Sequence, residues 1–149
     1  SEAEAEAERF ELNIIRFGSP PHSLRLQVIQ GAAEAVKAGL AGKWAVCTSG
    51  TTKYASAALQ AVGLPKPDVF VTADTVAQGK PNPDPYLQGA SSLSLSASSC
   101  IAGVAVEDAP NGVRSGKAAG TKVLALVTRH LREEVKEAGG DWVVDDLSK

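Results

Sequence analysis

CIAGVAVEDAPNGVRSGKAAG, residues 100–120, is the stretch whose reading settles the class of fold. Its residues 101–106 are apolar and partly β-branched, a strand pattern that stops abruptly at Glu107 and Asp108. A small turn follows, and an Ala/Gly-rich helical segment opens at Asn111. Two adjacent carboxylates therefore sit at the carboxyl end of a strand. In open α/β sheets that edge is where ligands bind, and paired carboxylates there suit a hard cation such as Mg2+. A plainer reading also fits the same letters: Asp108 and Asn111 cap the next helix and Glu107 is solvated. Taken alone, the stretch leaves both open.

The rest of the composition narrows the class. A chain of 149 residues, 44% of them hydrophobic, can bury one sizeable core, which predicts a single globular domain over residues 9–149. The formal net charge of -2 has no strong sign, and no polybasic surface for nucleic acid stands out. No apolar run approaches the roughly 20 residues that span a bilayer. Neither nucleic acid nor membrane is an expected partner. Cys47 and Cys100 are too few for a disulfide scaffold, and each borders an expected buried strand, so both read as small, unbridged core residues.

Residues 1–8, SEAEAEAE, form an acidic low-complexity repeat that resembles the spacer of a yeast secretion leader. They are set aside as an expression scar or disordered tail. On that reading the chain is secreted from a yeast host, which says little about its native compartment. Residues 9–18 alternate Phe10, Leu12 and Ile14 with Glu11 and Asn13 and then become apolar on both sides, a strand pattern ended by Ser19, Pro20 and Pro21. Residues 24–29 can extend again, and residues 31–38 carry helix formers closed by Gly39 and Gly42.

From Trp44 onward strands and helices alternate. Strands are predicted at residues 44–47, Val69–Val71, 101–106, 123–127 and Trp142–Val144, and helices at 52–62, 83–93, from Asn111, and 131–138. That order predicts an α/β fold with a doubly wound, Rossmann-like parallel sheet. Three strand ends then carry reactive residues. Thr48, Ser49, Gly50 and Thr51 precede a helix N-terminus, where backbone N–H groups favour an anion such as phosphate. Lys80 stands in the proline-stiffened loop QGKPNPDP, residues 78–85, a way to aim a point cation at a phosphoryl group. Glu107 and Asp108 are the third. Each also has a bland reading, as a helix cap or a solvated loop charge.

Taken together and in order, Thr48-Ser49, Lys80 and Glu107-Asp108 resemble the second, third and fourth motifs of the haloacid dehalogenase-like hydrolases. The wording WAVCTSGT, QGKPNPDPY and VEDAPNGVRSGKAAG is similar to the fungal glycerol phosphate and 2-deoxyglucose phosphate phosphatases, over roughly residues 28–148. The resemblance implies a haloacid dehalogenase-like core, Mg2+-dependent hydrolysis of small sugar or polyol phosphate monoesters, and a cytoplasmic parent enzyme. It further implies that Thr48, with the Ser49 amide, binds the transferring phosphoryl group. Lys80 neutralises charge there, and Asp108, helped by Glu107, holds Mg2+.

One departure is plain. The first motif, an Asp-x-Asp pair at a strand end, is not in this sequence, whose first aspartate is Asp68. Most of the segment that forms the family's cap is missing too. In the family the first-motif strand lies between the strands that end here at Cys47 and Val106. Residues 10–17 are the candidate to fill that place, in their own chain or exchanged with a neighbour as a homodimer; otherwise they are remnant cap or linker. The chain is therefore expected to be inactive or very weak as a phosphatase. The alternatives are a phosphate-binding pseudoenzyme that keeps Thr48, Lys80 and Asp108, and a strand-exchange interaction module.

Overall fold

The strands predicted from Trp44 onward form, and all of them pair in parallel. The computed structural model describes residues 15–17, 26–28, 44–61, 63–93 and 104–146. Strand β3 (Ala45–Cys47) leads to helix α1 (Thr52–Ala61), strand β4 (Val69–Val71), helix α2 (Asp84–Ser92) and strand β5 (Val104–Glu107). Helix α3 (Pro110–Ala118), strand β6 (Lys122–Leu126), helix α4 (Arg132–Glu137) and strand β7 (Trp142–Val144) complete the order. β3 pairs with β4, and β6 lies between β5 and β7. Among the described residues, no helix is long and apolar enough to cross a membrane.

Local chemistry explains these elements. α1 buries Ala55, Ala58 and Leu59, the spacing of one helix face, and stops where Gly63 takes a φ of +72°. Pro85 near the start of α2 and Pro110 at the start of α3 occupy first-turn positions, where a missing N–H leaves no helix bond unmade. β6 is the central strand of its sheet, and Val123, Ala125 and Leu126 on it are fully buried. The expected strand over 101–106 is described from Val104 and runs on through Glu107, which pairs with Ala125.

The two parallel groups are hydrogen-bonded separately, yet they share one core. Cys47, Val71 and Tyr86 from the first half pack in the same cluster as Ala105, Val113, Val123, Ala125 and Val135 from the second. Among the described residues no strand pairs with both groups. Cys47 is a free, buried thiol whose pKa burial pushes up to about 11. It thus has the core character expected of it; Cys100 lies outside the described residues.

The expectation for residues 10–17 needs correction. Their described part, β1 (Ile15–Phe17), does extend, but it pairs antiparallel with β2 (Leu26–Val28) in a sheet of its own and not with β3 or β5. Register matches apolar to apolar, Ile15 opposite Val28 and Phe17 opposite Leu26, with Arg16 opposite Gln27. Pairing with a segment so near in sequence closes a short loop, which is entropically easier than entering a sheet whose other strands are far along the chain. Since β1 finds its partner within its own chain, this pairing gives strand exchange no support. The tail over residues 1–8 and the helix over 31–38 fall outside the described residues.

Two positions make this packing testable. Gly116 on α3 lies so close to the sheet that an added Cβ would stand 2.8 Å from Val123 Cγ2, 3.2 Å from Thr121 Oγ1 and 3.3 Å from Ala105 Cβ. Helix propensity favours Gly116→Ala by up to about 1 kcal/mol, whereas overpacking opposes it by about 1–3 kcal/mol. The close approach should win, so thermal unfolding is expected to show a lowered Tm; a raised one would mean the helix stands off the sheet.

Asp141 is the second. Its Oδ2 accepts from Val123 N at 2.8 Å and from Lys117 Nζ at 2.9 Å, joining β6 to α3. The Val123 amide first, and Lys117 after it, hold this carboxyl below its ordinary 3.8. A carboxyl lowered in the folded state contributes stability above its unfolded pKa, and that contribution is lost as pH falls through the folded value. The Tm gap between the native chain and Asp141→Asn should therefore be widest near neutrality and shrink as pH drops below about 4. A gap that grows on acidification would refute it.

Candidate functional site

Parallel strands carry their carboxyl ends to one side, so Thr48 after β3, Thr72 after β4, Asp108 after β5 and Thr128 just beyond β6 stand at sheet ends of the same kind. The first two loops are latched together. Thr48 N donates to Val71 O at 2.9 Å, Ala73 N donates to Gly50 O at 2.9 Å, and the Thr52 and Thr72 hydroxyls meet at 2.7 Å. Gly50 N donates to Thr48 Oγ1 at 3.1 Å, which orients that hydroxyl. The start of α1 is capped by other residues: Thr52 N donates to Asp74 Oδ2 at 2.7 Å, and Tyr54 N to Thr51 Oγ1 at 3.3 Å. The protein thus supplies its own carboxylate to this helix N-terminus, and the anion expected there is limited to the Thr48-Ser49 end. Thr48 is buried and Ser49 exposed.

Lys80 is not the solvated loop charge that its sequence also allowed. Its side chain is only 6% exposed and forms an ion pair with Oε1 of Glu107, which is 0% exposed. Tyr86 Oη donates to the same oxygen, and Lys80 Nζ lies 5.2 Å from the centroid of the Tyr86 ring, within cation–π range. α3 holds this loop from another side, because Ser115 Oγ donates to Asn82 O at 2.6 Å. Cys47, next to Thr48, lies within electrostatic reach of both Lys80 and Glu107. The structure therefore brings two of the expected residues into direct contact, Lys80 and Glu107.

Asp108 is also buried, and its Oδ2 accepts from Thr128 Oγ1 at 2.7 Å. The two carboxylates expected to share a cation thus have different surroundings. Glu107 is committed to Lys80 and Tyr86, and Asp108 stands with Thr128. Among the described residues no three His, Cys, Asp or Glu side chains gather as a metal-binding group. Mg2+ takes six oxygens in near-octahedral geometry, usually keeping several waters and using one or two carboxylates plus a substrate phosphate. The described side chains do not complete such a shell by themselves.

Sequence reading missed four contributors: Thr72, Asp74, Tyr86 and Thr128. Asp74 was detectable as an Asx-type residue in the TADT turn, residues 72–75, after a strand, and Tyr86 as an aromatic soon after Lys80. Nothing local could have paired Thr128 with Asp108, twenty residues earlier.

Three ordered motifs on successive parallel strand ends ask for a family. A model of the haloacid dehalogenase-like hydrolases matches residues 6–120. The chain belongs to the haloacid dehalogenase-like hydrolases. Hexitol phosphatase A of Escherichia coli (strain K12) is 52% identical over 90 residues, 60% of this chain and 39% of that protein. Glycerol-1-phosphate phosphohydrolase 2 of Saccharomyces cerevisiae is 42% identical over 106 residues, 68% of this chain and 42% of that one. The crystal structure of a hydrolase from Pseudomonas syringae superposes with a TM-score of 0.72 at 26% identity, covering 82% of this chain and 57% of that one. The haloacid dehalogenase-like resemblance and the Rossmann-like fold are both borne out. The chain spans less than half the length of these two enzymes.

Gly112 decides whether Glu107 can keep its place. A Cβ at that position would collide with both carboxylate oxygens of Glu107. Gly112→Ala should therefore expel a buried, paired carboxylate and lower stability by about 3–5 kcal/mol, the size expected for breaking such a pair. Gly79→Ala, with nothing within 4 Å of its added Cβ, is the control and should stay within about 0.5 kcal/mol. Denaturant unfolding that ranks the two variants equal would show that Glu107 is not held beneath α3.

Proposed function

We propose that this chain is a phosphate-monoester-binding core of the haloacid dehalogenase-like type, directed at small sugar or polyol phosphates, with very low turnover of its own. One observation carries the reading: the side chains of Lys80, Glu107 and Asp108 are all buried at the carboxyl end of β5. Burying charge is costly, and a buried ion pair is on balance often no more stabilising than apolar packing of the same volume. Such groups gathered at a sheet's ligand edge are better explained by binding than by stability. The substrate class is supported by the hexitol phosphatase and glycerol-1-phosphate phosphohydrolase relatives.

In this reading Thr48 and the Ser49 amide hydrogen-bond the phosphoryl oxygens, and Lys80 offsets their charge. Asp108, kept in place by Thr128, stands at the next strand end. Phosphoryl transfer depends mainly on positioning and electrostatic stabilisation, which these groups supply. A covalent route also needs a nucleophile. The sequence has no aspartate before Asp68, so the position ahead of Thr48 that carries the family's first motif offers none. Binding without efficient turnover follows.

Two measurements test this together. Titration with inorganic phosphate should show saturable binding and a raised Tm. Hydrolysis of glycerol phosphate in the presence of Mg2+ should run at least about three decades below a complete family phosphatase. Absence of phosphate binding would contradict the site. Robust turnover abolished by Asp108→Asn would contradict the inactivity and require a nucleophile that the sequence does not display.

A further inference from the structure

A lysine side chain has a long flexible stem, so a buried ammonium that must meet a ligand needs something to hold it in place. At Lys80 two groups do so, and Tyr86 acts through both. The Tyr86 ring faces Nζ at 5.2 Å, and the Tyr86 hydroxyl donates to Glu107 Oε1, the same oxygen that pairs with Lys80. Glu107 has little freedom to rearrange. Its side chain is 0% exposed, it lies against Gly112, and its Oε2 has no hydrogen-bond partner among the described residues.

We infer that Tyr86 is a positioning residue for Lys80, an inference that rests on Lys80 being the phosphate-binding cation. With the phenol present, the carboxylate charge is divided between an ammonium and a hydroxyl. The ammonium then keeps part of its field, and two of its three N–H donors, for an oxyanion. Without the hydroxyl the carboxylate has one donor, Lys80, and draws it inward from the ligand edge. The ring has a separate part: as the third residue of α2 it fixes the cation against a helix, although Lys80 itself lies in a loop. Tyr86 is thereby both a member of the hydrophobic core and a determinant of where the positive charge stands.

The test compares the full chain with Tyr86→Phe, Tyr86→Leu, and the double variant Lys80→Met/Glu107→Gln, which removes both charges together so that neither is stranded. Inorganic phosphate affinity is measured by calorimetry, Tm by thermal unfolding, and the Lys80 ammonium by its 1H–15N signal in lysine-labelled protein. Tyr86→Phe keeps the ring, so its Tm should stay within about 5 °C of the parent. Its phosphate affinity should fall about tenfold, and its Lys80 ammonium protons should exchange faster. Tyr86→Leu should lose more affinity, because the ring face goes as well. A purely structural role would lower Tm and leave the ammonium signal alone. If Tyr86→Phe binds phosphate like the parent with an unchanged ammonium signal, while the double variant loses binding, the positioning role is overturned and the phosphate site stands. If the unmodified chain does not bind phosphate, both are overturned.

Discussion

The ion pair between Lys80 and Glu107 is the constraint on which the rest of the site depends. Lys80 belongs to the loop between β4 and α2, and Glu107 ends β5, so this single contact crosses from one parallel group to the other. Among the described residues the two groups share a core but no strand-to-strand hydrogen bonds, which gives weight to the side-chain links between them. Tyr86 and Ser115 reinforce the same junction. Removing one partner of a buried pair typically costs about 3–5 kcal/mol, while replacing both by apolar groups is often neutral. Stability alone is therefore a weak account of the pair, which sits at the carboxyl end of β5.

Much of the fold was legible from periodicity and punctuation. Val69–Val71 and Trp142–Val144 form just where short β-rich runs sit between turn residues, and α1, expected over 52–62, ends at Ala61. These are local signals, and local structure follows them. The position of β1 was not legible. Its apolar run announced a strand, but which partner a strand takes depends on chain closure and register, and residues 26–28 lie nearby in sequence.

The site divides in the same way. Thr48, Lys80, Glu107 and Asp108 could be named because each stands at a strand end or in a stiffened loop before a helix. What each side chain does could not be read, since that depends on contacts far apart in sequence. Glu107 was expected to help Asp108 hold a cation, and the contacts it makes are with Lys80 and Tyr86. Gly112 carried the missing information: a glycine in the first turn of α3 leaves room for a side chain folded back beneath the helix. Asp74 belongs here too, because capping α1 with a carboxylate from the neighbouring loop is invisible to any reading of α1 alone.

The most direct measurement of this account is a double-mutant cycle on the pair, with Lys80→Met, Glu107→Gln and both together, followed by denaturant unfolding. Each single change should cost several kcal/mol, since it strands a buried partner, and the double should cost clearly less than their sum. The coupling is predicted at about 2 kcal/mol or more. Additivity within about 0.5 kcal/mol would mean that the two residues do not interact and that nothing of this kind joins the halves of the sheet.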